Sequence, residues 1–317
     1  MRARQQIYSA TPRYRSSRWT VLVGVIAAIL IHSGQSEEPS SKKVLRYAYS
    51  TRLFRDVDRK DAEVSLQVWT KDISARTGNG YDAEVKVYDD LAALAKDIRA
   101  NAVDIVTMLA PDYLDLKEKD LLEPALAGTA AGHFPEEFVL LVHRDGKVTK
   151  MDQLRGKRFL LEVGGRGKCG RMWIDTLLMK EGLPRSQEFF KSIQETDKEQ
   201  RAVFPVFFQQ ADACVVRAIA FETMAELNPQ VKDRLQVLVK SPGFVLGFVC
   251  LRKDLTPEIK QDIINSGLTM HENPRGRQLL TFFRMDKIVL FKSGYLDALI
   301  ALRKEYYDLL ARSEGKK

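Results

Sequence analysis

A glycine-rich stretch at residues 159–170, which reads FLLEVGGRGKCG, is the part of the chain best suited to chemistry. The apolar run before the glycines predicts a buried strand, and the residues after them predict a helix. Amide NH groups at a helix start lack intrahelical acceptors and carry partial positive charge, so this turn is suited to holding an anion. Arg171 adds to that charge. The candidate ligand-binding residues of the turn are Arg166, Gly167, Lys168, Cys169 and Gly170.

Two other interpretations of this turn stay open. The glycines can simply form a tight turn whose basic side chains are solvated. Gly165, Gly167 and Gly170 also match the dinucleotide fingerprint GxGxxG between a strand and a helix, which would make the protein an oxidoreductase. That fingerprint requires an acid roughly 20 residues on, at the end of the next strand, and here Glu195 comes late after a weak strand. We therefore expect that the protein is not an enzyme and that it binds no cofactor.

Side chains beyond other predicted strands can form the opposite wall of an anion site, because open α/β sheets bind ligands outside their strand ends. Ser50 and Thr51 supply hydroxyls after the first strand, and Tyr113 supplies a ring and a phenol after the third. Their structural alternative is a turn or packing role. Arg217 follows a buried run, where a fixed guanidinium can pair with an oxyanion through two hydrogen bonds. Its structural alternative is a salt bridge to Glu222.

Cysteine and histidine are sparse. The chain has three cysteines, Cys169, Cys214 and Cys250, so at least one has no partner within the chain. Cys214 and Cys250 lie in strand-like apolar runs, which favours small buried hydrophobes. The four histidines are scattered, and no catalytic triad or paired carboxylate motif can be assembled. We predict no catalytic residue and no metal site.

Composition is that of an ordinary globular protein. The 317 residues are 45% hydrophobic, which suits two domains of normal size. The formal net charge is +8, but five arginines fall within the first 36 residues, which contain no acid, and the remainder carries only +3. Basic and acidic residues are interleaved after that point, whereas a nucleic-acid interface gathers its basic residues on one face. Nucleic acid is therefore excluded as a partner.

The N-terminus carries the three-part pattern of an export signal. An arginine-bearing start is followed by an apolar run over residues 19–31, and then by the small residues Gly34 and Ser36. The run is short for a bilayer-spanning helix, which needs about 20 apolar residues. We predict that residues 1–36 are a cleaved signal peptide and that the protein is periplasmic. An uncleaved N-terminal anchor is the alternative.

From residue 44 onward, strands and helices alternate, which predicts parallel sheets covered by helices. A βαβαβ unit is complete by residue 108, and a second unit begins after an extended run at 138–143. A second extended run at 244–251 returns the chain, after which the pattern predicts only helices. The fold class is therefore α/β, with two Rossmann-like lobes joined by two hinge strands. The predicted lobes are residues 43–139 plus 248–317, and residues 140–247.

The chain resembles a periplasmic solute-binding protein of the two-lobed (type 2) fold, closest to the phosphonate-type binding component of ABC transporters. The likeness covers nearly the whole chain after the N-terminal segment. The stretches that carry it are residues 90–113, 151–170, 209–224, 251–263 and 273–280.

This resemblance implies a hinged receptor that delivers a solute to a membrane permease. It also implies ligand groups at Ser50, Thr51 and Tyr113, where that family commonly places hydroxyls and an aromatic ring. The chain departs from the family at residues 167–170, where relatives have a Ser/Thr-rich run, and at Arg217, where they often have an acidic or hydroxyl residue. Because cations replace hydroxyls, the expected ligand is an oxyanion, of phosphonate, phosphate or another kind.

The expected partners are a small anionic solute and an inner-membrane ABC permease, and the protein is expected to be a monomer. A membrane-tethered ligand sensor on the same fold is the alternative function. A mature chain that begins near Glu37 would favour the exported receptor, whereas an intact Met1 would favour the tethered sensor.

Overall fold

The computed structural model describes residues 43–54, 59–75, 80–130, 134–163 and 167–314. The strands are β1 (Val44–Ser50), β2 (Asp82–Tyr88), β3 (Ile105–Leu109), β4 (Leu122–Thr129), β5 (Phe138–His143), β6 (Arg158–Glu162), β7 (Ser192–Thr196), β8 (Ala213–Arg217), β9 (Leu235–Lys240), β10 (Gly247–Arg252) and β11 (Lys287–Leu290). The helices are α1 (Arg59–Ser74), α2 (Leu91–Arg99), α3 (Ala110–Asp115), α4 (Gly167–Lys180), α5 (Ser186–Phe189), α6 (Glu199–Phe207), α7 (Ala218–Leu227), α8 (Pro229–Arg234), α9 (Pro257–Leu268), α10 (Pro274–Phe282) and α11 (Asp297–Glu314).

The strands form two sheets. The first sheet has the order β11-β4-β10-β3-β1-β2, and the second has the order β7-β6-β8-β5-β9. Strand β1 pairs in parallel with β2 and β3, and β6 pairs in parallel with β7 and β8. Strands β10 and β5 run antiparallel to their neighbours. The predicted α/β architecture with two sheet-based halves is confirmed, while the predicted lobe boundaries remain a prediction.

The two sheets are connected by short segments that pair with each other. Glu136 and Phe244 form an isolated antiparallel bridge, with backbone N···O distances of 2.9 and 2.7 Å. The extended runs that the sequence assigns to the crossings belong mostly to the sheets themselves. Every residue of β5 is buried, because this strand lies between β8 and β9 in the second sheet. The chain therefore crosses just before β5 and just before β10.

Two strands, β4 and β11, are not predicted by the sequence pattern. The region after residue 251 is not wholly helical, because β11 pairs with the outer side of β4. Strand β4 contains Pro124, which breaks the usual strand signal. Pro124 lies opposite Cys250, where the register between β4 and β10 shifts. Such an irregularity tolerates a residue without a backbone NH, since proline in a sheet is confined to edges and bulges.

Helix α11 packs along α4, which follows a strand of the second sheet. Leu299 and Leu302 are buried and share one hydrophobic core with Ile174 and Leu178 of α4. No helix in the described part of the chain is both long and apolar enough to cross a bilayer. The predicted signal segment at 1–36 lies outside the described residues.

Candidate functional site

The glycine-rich turn leads into α4, as the sequence predicts. Helix α4 begins at Gly167, and Lys168 is exposed in its first turn. Gly170 is buried, and a Cβ at this position would lie 3.3 Å from Cγ1 of Val215 and 3.5 Å from the ring of Phe138. The missing side chain thus lets the helix approach the second sheet closely. Arg166 lies outside the described residues.

Cys169 contributes its backbone rather than its thiol to this turn. Its side chain is buried, and all three cysteines are free and buried. Burial raises the pKa of the Cys169 thiol to about 12, and the positive charge of Arg303 only partly opposes this. The thiol is therefore protonated at neutral pH and has no nucleophilic character.

The end of β1 and the loop after it hold two of the predicted site residues, Ser50 and Thr51. Ser50 is buried, and its hydroxyl accepts a hydrogen bond from the backbone NH of Arg52 at 3.4 Å. The hydroxyl of Thr51 donates to the carbonyl of Tyr88 at 3.3 Å. Both hydroxyls therefore shape the turn that follows the strand. Each oxygen retains a further lone pair that can accept a hydrogen bond.

A buried carboxylate that the sequence analysis does not predict lies close to this loop. Asp112 follows β3, is buried, and forms an ion pair with Arg52. Burial raises the pKa of Asp112, while the charges of Arg52 and then Lys168 oppose the rise. Lys168 belongs to α4, whereas Asp112 follows a strand of the first sheet, so this effect acts between the two sheet-based halves. The sequence holds one signal for the ion pair between Arg52 and Asp112, because both residues come just after predicted strands.

Tyr113, next to Asp112, packs its ring edge-on against Phe248 at a centroid distance of 5.2 Å. Burial raises the pKa of its phenol, so the hydroxyl stays protonated at neutral pH and can donate a hydrogen bond. The ring is thus fixed by packing, and the hydroxyl remains the polar group of this side chain.

Arg217 is held by two carboxylates. Its Nη2 and Nε lie 2.6 and 3.1 Å from Oε1 of Glu199, and its Nη1 lies 3.2 Å from Oε2 of Glu136. All three side chains are almost inaccessible, at 9, 6 and 12% exposure for Arg217, Glu199 and Glu136. Burial lowers the pKa of Arg217, but the two carboxylates outweigh it, and the net pKa is raised. Arg217 is therefore a permanent cation whose charge is already balanced by protein groups.

The described residues bring the predicted site residues together only in part. Lys168, Cys169 and Gly170 lie at the start of α4, while Ser50, Thr51 and Tyr113 follow β1 and β3 of the first sheet. Arg217 ends β8 and is engaged by carboxylates. Within the described part of the chain, no cluster of His, Cys, Asp and Glu can hold a metal ion.

Two α/β sheets joined by two paired crossing segments are typical of the class of two-lobed solute-binding proteins. The sequence matches the family described as "ABC transporter, phosphonate, periplasmic substrate-binding protein" over residues 55–293, which is more than half of the chain. The chain therefore belongs to this family. The family is a substrate-binding component of a transporter and not an enzyme, so the oxidoreductase interpretation of the glycine fingerprint is set aside.

Solved structures share this fold at low sequence identity. XAC2383 from Xanthomonas citri, solved bound to ATP, is 14% identical with a TM-score of 0.61, covering 85% of this chain and 99% of its own. A binding protein component of an ABC phosphonate transporter from Pseudomonas aeruginosa is 16% identical with a TM-score of 0.53, covering 87% of this chain and 99% of its own.

PhnD1 from Prochlorococcus marinus in complex with methylphosphonate is 12% identical with a TM-score of 0.56, covering 83% of this chain and 98% of its own. At these identities the likeness establishes the fold alone. No curated protein matches the sequence. Membership of the family supports solute capture for transport and a location outside the cytoplasm.

Proposed function

We propose that the protein captures a small oxyanion between the start of α4 and the loops that follow β1 and β3, a gap called here the cleft. In this proposal, amide NH groups of residues 168–170 and the ammonium of Lys168 bind the anion from one side. Ser50, Thr51 and Tyr113 contact it from the other side. The loaded receptor then delivers its ligand to an ABC permease in the inner membrane.

The observation that carries the proposal is the position of Lys168. Arg52 is paired with Asp112, and Arg217 is paired with Glu136 and Glu199, so neither guanidinium is available without breaking an existing ion pair. Within the described part of the chain, Lys168 makes no ion pair, and its positive charge opposes the rise in the pKa of Asp112.

An anion at the start of α4 would meet the positive end of a 14-residue helix as well as the ammonium of Lys168. Each ionic hydrogen bond of this kind contributes roughly 1.5–3 kcal/mol. Two or three of them would therefore account for micromolar binding, which corresponds to about 8 kcal/mol, when combined with contacts from the opposite wall.

A thermal-shift screen of the purified chain against phosphate, methylphosphonate, sulfate, acetate and nucleotides tests the proposal. A ligand at 100 times its dissociation constant should stabilise the folded state by about 2.7 kcal/mol and raise the melting temperature. Lys168→Gln should weaken binding about tenfold, while Lys191→Gln, an exposed lysine of the same half, should leave it unchanged. A screen in which no anion raises the melting temperature would contradict the proposal.

The proposed function includes export of the protein from the cytoplasm. Residues 1–36 would be removed on export, leaving a receptor that acts in the periplasm as a monomer. N-terminal sequencing of the protein purified from its native envelope checks this, with a start near Glu37 as the expected result. An intact Met1 would instead support a membrane-tethered sensor.

A further inference from the structure

The second sheet has one edge at which all of its strands begin or end. Strands β6, β7, β8 and β9 begin there and β5 ends there, because β6 pairs in parallel with β7 and β8, while β5 runs antiparallel to β8 and β9. Strand β6 runs away from this edge for five residues, or about 16 Å, before the glycine-rich turn leads into α4. The edge therefore lies at the opposite end of the second sheet from the proposed anion site.

Basic side chains gather at this edge, because segments that are distant in sequence lie side by side there. The backbone NH of Lys191 donates to the carbonyl of Lys157 at 2.9 Å. The side-chain amide of Gln236 donates to the carbonyl of Val148 at 2.9 Å and joins the segment after β5 to β9. Nine exposed basic residues form what is called here the basic surface: Arg144, Lys147, Lys150, Arg155, Lys157, Arg158, Lys191, Lys232 and Arg234.

The basic surface carries an excess of positive charge. The segments at this edge, which are residues 144–158, 188–191, 212 and 232–234, contain nine basic and five acidic residues. Arg158 is paired with Asp212 at 3.0 Å. Within the described part of the chain, none of the other eight basic residues of the surface forms an ion pair. Neighbouring unpaired cations repel one another, so this surface favours a partner that presents many negative charges.

We propose that the basic surface binds the anionic headgroups of a phospholipid bilayer. Proteins of this family deliver solutes to a membrane permease, so a bilayer is present where they act. A bilayer offers many negative charges in one plane, which matches cations spread along the edge of a sheet. Because the basic surface lies away from the proposed anion site, the protein can stay at the membrane while the cleft remains open to solute.

The expected strength of this interaction follows from the number of charges that reach the bilayer. Each lysine or arginine held near an anionic bilayer tightens binding about fivefold, so four such residues tighten it about 600-fold. The attraction acts through water and is screened by salt. At about 1 M salt the screening length falls to about 3 Å, and the preference for anionic lipid should disappear.

Sedimentation with lipid vesicles tests the inference on the protein purified from its native envelope. One set of vesicles contains equal parts of phosphatidylglycerol and phosphatidylcholine, and the other contains phosphatidylcholine alone. The readout is the ratio of the two partition coefficients at low salt, since an apolar contribution from the N-terminus affects both vesicle types. We expect a ratio of about 100 or more for wild type, and a ratio near one at about 1 M salt.

Two double variants locate the interaction on the molecule. Lys157→Gln combined with Lys191→Gln removes two neighbouring charges of the basic surface and should lower the ratio about 25-fold. Lys253→Gln combined with Lys292→Gln is the matched control. It removes the same net charge from exposed lysines that follow β10 and β11 of the first sheet, and it should behave as wild type.

Circular dichroism and thermal melting establish that each variant is folded, and Lys147→Gln combined with Lys150→Gln replaces the first pair if that pair does not fold. A wild-type ratio near one at low salt would overturn the inference. Equal ratios for the wild type and the folded surface variant, or equal losses in that variant and in the control, would do the same. Binding to a DNA duplex without a preference for anionic vesicles would assign the surface to another polyanion and also overturn it.

Discussion

Single residues in this protein acquire their roles from partners that are distant in sequence. Arg217 is an example. From the sequence, a lone arginine after a buried strand is suited to binding an oxyanion. In the structure Glu199 and Glu136, which are 18 and 81 residues away, occupy its guanidinium. Arg217 therefore holds the end of β8, the start of α6 and a crossing segment together, and its role as a ligand residue remains a prediction.

Replacing Arg217 with Ala should destabilise the protein. The substitution leaves two almost inaccessible carboxylates without their counter-ion, and breaking a buried ion pair in this way costs about 3–5 kcal/mol. Urea denaturation followed by circular dichroism measures the change in the free energy of unfolding.

Arg201→Ala provides the control for that measurement. Arg201 and Asp197 form an exposed pair, with side chains 67 and 55% accessible, so the loss should stay below about 1 kcal/mol. An Arg217→Ala protein of normal stability that has lost anion binding would show instead that the guanidinium serves the ligand.

At the scale of elements, helix α11 connects parts of the chain that belong to different sheets. Its Arg303 lies 2.6 Å from Asp115 of α3, and its Glu305 lies 2.8 Å from Lys180 of α4. Helix α3 follows a strand of the first sheet, and α4 follows a strand of the second. These surface ion pairs contribute little energy individually, so the apolar face of α11 must supply most of the stabilisation.

Leu299→Ala should therefore destabilise the protein strongly. Leu299 is 1% exposed in the core between α11 and α4, and truncating such a buried leucine typically costs about 2–5 kcal/mol. Its neighbour Ile300 is 47% exposed, so Ile300→Ala should cost less than about 1 kcal/mol. Chemical denaturation of both variants gives the comparison, and similar losses would contradict the packing of α11 described here.

For the molecule as a whole, we expect rotation of one sheet-based half against the other about the paired crossing segments. The bridge between Glu136 and Phe244 involves only two residues. Gly243 lies beside it, and a Cβ there would lie 2.6 Å from Cγ of Pro135, so the crossing segments pack too closely for a larger residue. We therefore expect any bending to occur within this short and tightly packed connection.

Ligand binding should make the molecule more compact. An anion that contacts both walls of the cleft binds the closed arrangement better than the open one, and therefore shifts the population toward it. Small-angle X-ray scattering should show a smaller radius of gyration at saturating methylphosphonate. Lys168→Gln at the same ligand concentration should show a smaller change, and an unchanged radius for wild type despite measured binding would exclude closure.

The alternation of strands and helices, and therefore the α/β class with two sheets, can be predicted from local sequence patterns. Hydrophobic periodicity is a local property, so β1, β2, β3 and the long helices could be recognised from it. The glycine-rich turn at the start of α4 was equally visible, since its glycines and basic residues are contiguous.

Which charges are already paired within the protein is visible only in the folded structure. The pairing of Arg52 with Asp112, and of Arg217 with Glu136 and Glu199, depends on contacts between residues far apart in the chain, which no local pattern encodes. Strands β4 and β11 also depend on distant partners, because β4 pairs with β10 and β11 pairs with β4. Long-range electrostatics and pairing require the folded arrangement, because only folding sets the distances on which they depend.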